Sequence, residues 1–215
     1  MTLPASAFLT VWTILALNIL SPGPNVLNTI TAAMGSGRVA GLASAAAVGL
    51  GIGLWCLGMA LGMTAVFAVV PYAHETLTVM AAVLLIWFAS RYIRAGWQGV
   101  SGREATLRGV AGLGPRQSFL RSLSINATNP KALTTWIAIL GIFPTAEASA
   151  GDIALLTLGA CLLSLGIHTF YAAIFSTRGA AALYLRAAPL INLGVGVFFL
   201  GFAVRLTAPL LARAL

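Results

Sequence analysis

Asn18-Ile-Leu-Ser21-Pro22-Gly23-Pro24-Asn25 sits in the middle of an apolar run that extends from about residue 5 to residue 33. Two prolines and a glycine in three consecutive positions interrupt any regular helix there. A proline inside a helix removes one backbone hydrogen bond and clashes with the turn before it, at about 3 kcal/mol. Further on, Asn126-Ala-Thr-Asn129-Pro130-Lys131 repeats the N-x-x-x-P pattern at an offset of 108, again inside an apolar segment. Broken backbone at membrane depth cannot face lipid, because lipid satisfies none of its polar groups. Both breaks must therefore face protein or a water-filled cavity. Paired breaks in corresponding helices of two halves point to the substrate site of a transporter; the plainer alternative is a pair of kinks.

Composition supports a bilayer as the solvent. The chain has 215 residues, of which 60% are hydrophobic and 7% charged, against about 25% charged in soluble domains. A membrane-spanning helix needs about 20 apolar residues, and six apolar segments can be marked, at roughly 5–33, 40–70, 76–95, 117–143, 151–176 and 188–211. Their length and lack of alternation exclude a β-barrel. They leave no room for a soluble catalytic domain, so an enzyme is not expected, nor is a cofactor or a metal site. The net charge of +8 comes without any base-reading module, so nucleic acid is not an expected partner. The first residues carry no basic leader region and read as the start of span one, not as a signal peptide.

Basic residues orient the spans. Arg38, six arginines from Arg91 to Arg121, and Arg178 with Arg186 fall in or beside the first, third and fifth connections, while the second and fourth carry only Glu75, Glu147 and Asp152. This predicts cytoplasmic odd-numbered connections and both termini outside, with Arg205 and Arg213 the exceptions. The expected architecture is all-α and polytopic: one membrane domain over 1–215, made of two inverted three-helix halves (1–95 and 117–215), with helices 1 and 4 interrupted. Segment 96–116, with six glycines and three arginines, reads as the linker between them.

The residues at the breaks are the candidate substrate site: Asn18, Ser21, Pro22, Gly23, Pro24, Asn25, Asn126, Asn129, Pro130 and Lys131. Half-helices starting near Pro22–Pro24 and at Pro130 would offer unpaired N–H groups to an anion such as a carboxylate. Lys131 is the single lysine, and a charge at that depth costs at least about 2.5–3.5 kcal/mol on insertion scales. It needs backbone carbonyls, asparagine side chains or the substrate as partner, unless it snorkels to an interface. It and His168, inside the fifth span, are the candidates for exchanging protons; a packing role for His168 competes equally. Gly37/Gly41, Gly49/Gly53 and Gly58/Gly62 follow G-x-x-x-G spacing, which permits close helix approach within the chain or in a homodimer. Trp12, Tyr72, Tyr92 and Trp97 fit interfacial belts, and Asp152 fits a helix cap.

Ser21-Pro22-Gly23-Pro24 with the glycine-rich segment after it, and Asn126-Ala-Thr-Asn129-Pro130-Lys131-Ala132 opening the second half, resemble the LysE/RhtB family of amino-acid exporters, the LysE-type translocators. The resemblance implies efflux of amino acids or related metabolites across a bacterial inner membrane, driven by the proton-motive force. Gly51-Ile-Gly53-Leu-Trp55 lacks the acidic residue that several members carry in span two, and Ile142-Phe-Pro144-Thr145 replaces their Pro-Gln-Phe. With no carboxylate in any span interior, a second cation on the substrate would go unpaired. A neutral amino acid is the expected cargo. Two other functions compete. Cys56 and Cys161, one per half, suit an intramembrane thiol–disulfide electron carrier, although neither adjoins a proline break. A purely structural membrane partner leaves Lys131 and both breaks unexplained.

Overall fold

A computed structural model describes residues 2–100, 108–177 and 179–214. Among these residues the chain is entirely helical, without strands. The helices are α1 (Ala5–Leu20), α2 (Pro24–Val69), α3 (Ala73–Val100), α4 (Pro115–Ala127), α5 (Pro130–Leu140), α6 (Ala150–Phe175) and α7 (Ala180–Ala214), with a 3₁₀ turn at Thr145–Glu147. Four stretches, Pro24–Met63, Glu75–Val100, Ala150–Phe175 and Ala182–Ala208, are long and apolar enough to cross a bilayer. Their outer faces are greasy: Leu54, Leu158, Phe170, Leu190 and Val197 are each more than half exposed. So much outward apolar surface fits lipid and not water.

Both proline-marked interruptions occur where the sequence puts them, between α1 and α2 and between α4 and α5. Other boundaries differ from expectation. Of residues 35–38 only Gly37 leaves helical geometry, at φ 85° and ψ 176°, a conformation open to glycine and strained for other residues. There α2 doubles back on itself. Thr29 Oγ1 meets Ser44 Oγ at 2.9 Å, and Gly41 packs on Ala33. The expected linker 96–116 is helical as far as Val100, because Gly96 and Gly99 let α3 lie directly on Leu193 and Pro189 of α7. Residues 101–107 of that linker, with Arg103, lie outside the described residues, as does Arg178. The end of the linker is tied down: Val110 N–H donates to Thr31 O at 2.9 Å and Ser36 Oγ to Val110 O at 2.6 Å. Helix α7 begins at Ala180 and not near 188, since the alanine- and leucine-rich stretch ahead of Pro189 is made of strong helix formers.

Two antiparallel pairs dominate the packing. Gly41, Gly49 and Gly53 bring α2 against Ala172, Leu165 and Cys161 of α6, so part of the glycine spacing serves packing within the chain. In the other pair, Phe88 and Tyr92 of α3 contact Phe199 of α7 at 5.9 and 5.8 Å, and Gly196 lies against Ile93. Trp12 of α1 covers Gly159 of α6. The start of α6 is a capping box: Ser149 Oγ accepts from the Asp152 N–H at 3.2 Å, and the Asp152 carboxylate accepts from the Ser149 N–H at 3.0 Å. The same carboxylate takes the backbone N–H and hydroxyl of Thr2, fastening the segment before α1 to α6.

Candidate functional site

The last turn of α1 ends in carbonyls that have no helix to continue into. Ser21, in extended geometry, donates its N–H to Leu17 O at 3.2 Å and its hydroxyl to Asn18 O at 2.7 Å. Tyr171 of α6 donates to Leu20 O at 3.3 Å. Lys131, from the first turn of α5, supplies the rest. Its Nζ donates to Asn18 O at 2.8 Å, Ser21 Oγ at 2.8 Å and Ser21 O at 3.2 Å. An ammonium has three donors, so all of them are engaged at the first break. The ring of Tyr92 lies 5.4 Å from Nζ, close enough for a cation–π attraction. Lys131 thus turns inward to backbone carbonyls and does not snorkel to an interface. Gly23 makes room for it, since a Cβ there would lie 2.9 Å from Nζ.

The second break is held locally. Thr128 N–H returns to Ser124 O at 3.1 Å and Asn129 N–H to Asn126 O at 3.3 Å. The Asn129 carboxamide caps α5 by accepting from the Lys131 N–H at 3.0 Å, and Pro130 occupies the first helical position, where its missing N–H costs nothing.

Between the breaks lies a cavity of about 30 Å³, enough for water and smaller than an amino acid. Of the expected residues, Asn18, Gly23, Asn25, Asn129, Lys131 and His168 line it, together with Thr135, Trp136 and the apolar Leu15, Ile19, Val26, Ile52 and Ala132. No carboxylate is among them. The starts of α2 and α5 both reach this cavity. Three of its residues bury polar atoms that have no partner: Asn25 Oδ1, Trp136 Nε1 and His168 Nε2. Such atoms are rare in native proteins, and three around one cavity indicate a polar occupant. His168 Nδ1 lies 2.9 Å from Ser164 O; a carbonyl only accepts, so Nδ1 carries the proton and Nε2 is left as an acceptor.

The other expected residues are arranged differently. Ser21 is buried beneath Lys131 and does not line the cavity, while Pro22, Pro24 and Pro130 shape the breaks from outside it. Asn126 is not brought to this cavity; it stands in a separate groove between α2 and α4. Two polar wall residues, Thr135 and Trp136, are not marked by the sequence, and Tyr92 beside them has another place than expected. Thr135 lies one turn beyond Lys131 and Trp136 one turn beyond Ala132, each at a spacing that shares a helix face. Tyr92, read as an interfacial belt residue, is instead buried, with its hydroxyl 3.5 Å from Asn18 Nδ2. Asn18 Nδ2 also donates to Thr135 Oγ1 at 3.1 Å. Also unforeseen is a buried polar ladder near the Gly37 turn. Asn28 Nδ2 donates to Ser122 Oγ at 2.7 Å, Ser122 Oγ bonds Ser44 Oγ at 2.8 Å, and Ser118 Oγ donates to Ala40 O at 2.7 Å.

Known proteins resemble the chain over nearly its whole length. An uncharacterised membrane protein of Pseudomonas aeruginosa is 27% identical, covering 90% of this chain and 91% of that protein. A leucine efflux protein of Enterobacter sp. is 25% identical, over 88% of this chain and 90% of its own length. A threonine efflux protein of Salmonella typhi is 24% identical, over 93% and 96%. No solved structure matches the chain. The model of the LysE type translocator family matches residues 16–209, and the chain belongs to that family.

Proposed function

We propose that this protein exports neutral amino acids across the bacterial inner membrane by proton-coupled alternating access. The observation that carries the reading is the seating of Lys131: a buried ammonium from one break held by backbone carbonyls of the other, beside a cavity with three unpartnered polar atoms. Relatives named for leucine and threonine efflux support amino acids as the cargo.

In this reading α1 with residues 24–36 forms span one, 38–69 span two, α3 span three, α4 with α5 span four, and α6 and α7 the last two. The halves 1–95 and 117–215 are inverted repeats joined by 96–116, with both termini periplasmic. The packing of α2 on α6 and α3 on α7 supports this, because each pairs spans three apart. The polar groups of the lining suit a zwitterion, which enters once the cavity, smaller than an amino acid in this state, widens during the access cycle. Its carboxylate would meet the N-terminal end of α2 at Pro24, where first-turn N–H groups favour anions; the start of α5, expected to offer the same, is already capped, its N–H groups bonded to Asn129. Its ammonium would take over the Asn18 and Ser21 oxygens that Lys131 now occupies. Protonated Lys131 and the substrate's ammonium then compete for one set of acceptors, which makes proton and solute exclude each other, as exchange in opposite directions requires. His168 Nε2 is the nearby acceptor for the proton. Each ligand shifts the equilibrium only by its differential affinity for the two states. The lining has no carboxylate to hold a second substrate cation.

The electron-carrier reading is not favoured. Cys56 and Cys161 are free, and neither lines the cavity.

The test is release from proteoliposomes loaded with all common amino acids, quantified by mass spectrometry with and without a pH gradient. Selective, gradient-dependent loss of one or a few neutral amino acids is expected. Preferred release of arginine or lysine would overturn the neutral-cargo reading, and no release at all would overturn export of amino acids.

A further inference from the structure

The groove that holds Asn126 has the makings of a second site. It measures about 320 Å³ and is walled by Leu54, Trp55 and Met59 of α2 and Leu123 of α4. Asn126 is 1% exposed, yet neither its Oδ1 nor its Nδ2 has a hydrogen-bond partner. Its carboxamide is pressed against Gly51, where no side chain would fit. A buried amide with both a donor and an acceptor unmet is costly and rare.

Position in the chain links this groove to the Lys131 cavity. Leu15, Asn18 and Ile19 line the cavity, and Leu123, Asn126 and Ala127, each 108 positions later, line the groove. The two spaces are therefore built on the same three positions of the two N-x-x-x-P segments. In the cavity Asn18 is bonded to Thr135 and Tyr92; in the groove its counterpart waits for a partner.

We propose that the groove is a second binding site for a zwitterionic amino acid with an apolar side chain. The Asn126 carboxamide would donate from Nδ2 to the carboxylate and accept the ammonium at Oδ1, while the side chain lies against Leu54, Trp55, Met59 and Leu123. A lipid acyl chain would fill the apolar part of the groove but offers the amide neither a donor nor an acceptor. The proposal rests on the reading of this protein as an amino-acid exporter and assigns it a second stop on the solute's path.

Equilibrium binding of radiolabelled leucine to the purified full-length protein in nanodiscs tests it. Unmodified protein should bind about two leucines per chain at saturation. Asn126→Leu should bind one. Gly58→Phe should also bind one, and it guards against misfolding, because a side chain at Gly58 enters open space within the groove. Lys131→Met should keep this site and remove the pH dependence of leucine binding at the other, where the amine competes with the substrate's ammonium. If neither Asn126→Leu nor Gly58→Phe changes leucine stoichiometry while the unmodified protein still binds and releases leucine, the second site is overturned and export stands. If Gly58→Phe instead lowers the phospholipid retained on purification with leucine binding unchanged, the groove is an acyl-chain site and the proposal fails. If the unmodified protein binds neither leucine, threonine nor homoserine, both the exporter reading and the second site fall together.

Discussion

The two breaks share a sequence pattern and differ in what completes them. At the second, neutral donors suffice: the Thr128 and Asn129 N–H groups and the Trp55 indole, 71 positions away, whose Nε1 donates to Asn126 O at 3.1 Å, take up the end of α4. At the first, the end of α1 depends on a residue 110 positions away from Ser21, the ammonium of Lys131. A helix end leaves its last carbonyls without intrahelical donors, and the nature of the substitute donor decides how the joint behaves. Neutral N–H groups close a joint permanently. A titratable cation closes it conditionally, and a second cation can take its place. The side chains reverse the pattern, with Asn18 bonded and Asn126 unpartnered.

Removing the cation should do the most damage. Lys131→Met strips Ser21 O of a donor and removes the exchangeable charge. Efflux in proteoliposomes should fall by on the order of 100-fold, with unfolding in detergent destabilised by about 1–3 kcal/mol for the acceptors left buried. Trp55→Phe, its counterpart at the second break, should cost no more than about 1 kcal/mol and leave efflux within about threefold. Equal losses in the two variants would erase the distinction between the joints. Gly23→Ala should come next, since its methyl group would press on Lys131 Nζ and move the amine off its acceptors. A roughly tenfold loss of efflux, equivalent to about 1.4 kcal/mol, is expected, and an unchanged rate would mean that the amine's seat is not needed. The asparagines sharpen the comparison further. Asn18→Leu should destabilise by about 1 kcal/mol through its lost bonds, whereas Asn126→Leu, which removes two unmet groups and keeps the same branched heavy-atom shape, should be neutral or stabilising. Thermal unfolding of the two variants side by side decides it. The smallest effect belongs to Cys56→Ser with Cys161→Ser, which should leave efflux unchanged.

Most of the fold was legible because lipid leaves few choices. Apolar runs of sufficient length, and prolines that cannot continue a helix, locate α1, α4, α5 and α6 to within a few residues. Boundaries differ where glycine reads as punctuation in the sequence. Gly96 and Gly99 look like a loop in the sequence but are the contact points of α3 on α7, a fact held by Pro189 and Leu193 some 90 positions later. The site was half legible for the same reason. Lys131 and the flanking asparagines announce themselves as polar groups in an apolar run. Tyr92 does not, since an aromatic near a helix end is ordinary at an interface and only its packing against Phe199 turns it to Lys131 and Asn18. Nothing local distinguishes Asn18 from Asn126 either; the groove each one enters depends on which helix lies opposite.

The close fit of Gly23 to the Lys131 ammonium also has an evolutionary consequence. The two positions are coupled in inheritance: a side chain at 23 pushes the amine at 131 off its acceptors, and once the amine has gone this contact no longer favours glycine at 23. Among descendants of this chain, change at 23 should therefore accompany or follow change at 131, because losing the lysine first removes the contact that penalises a side chain there.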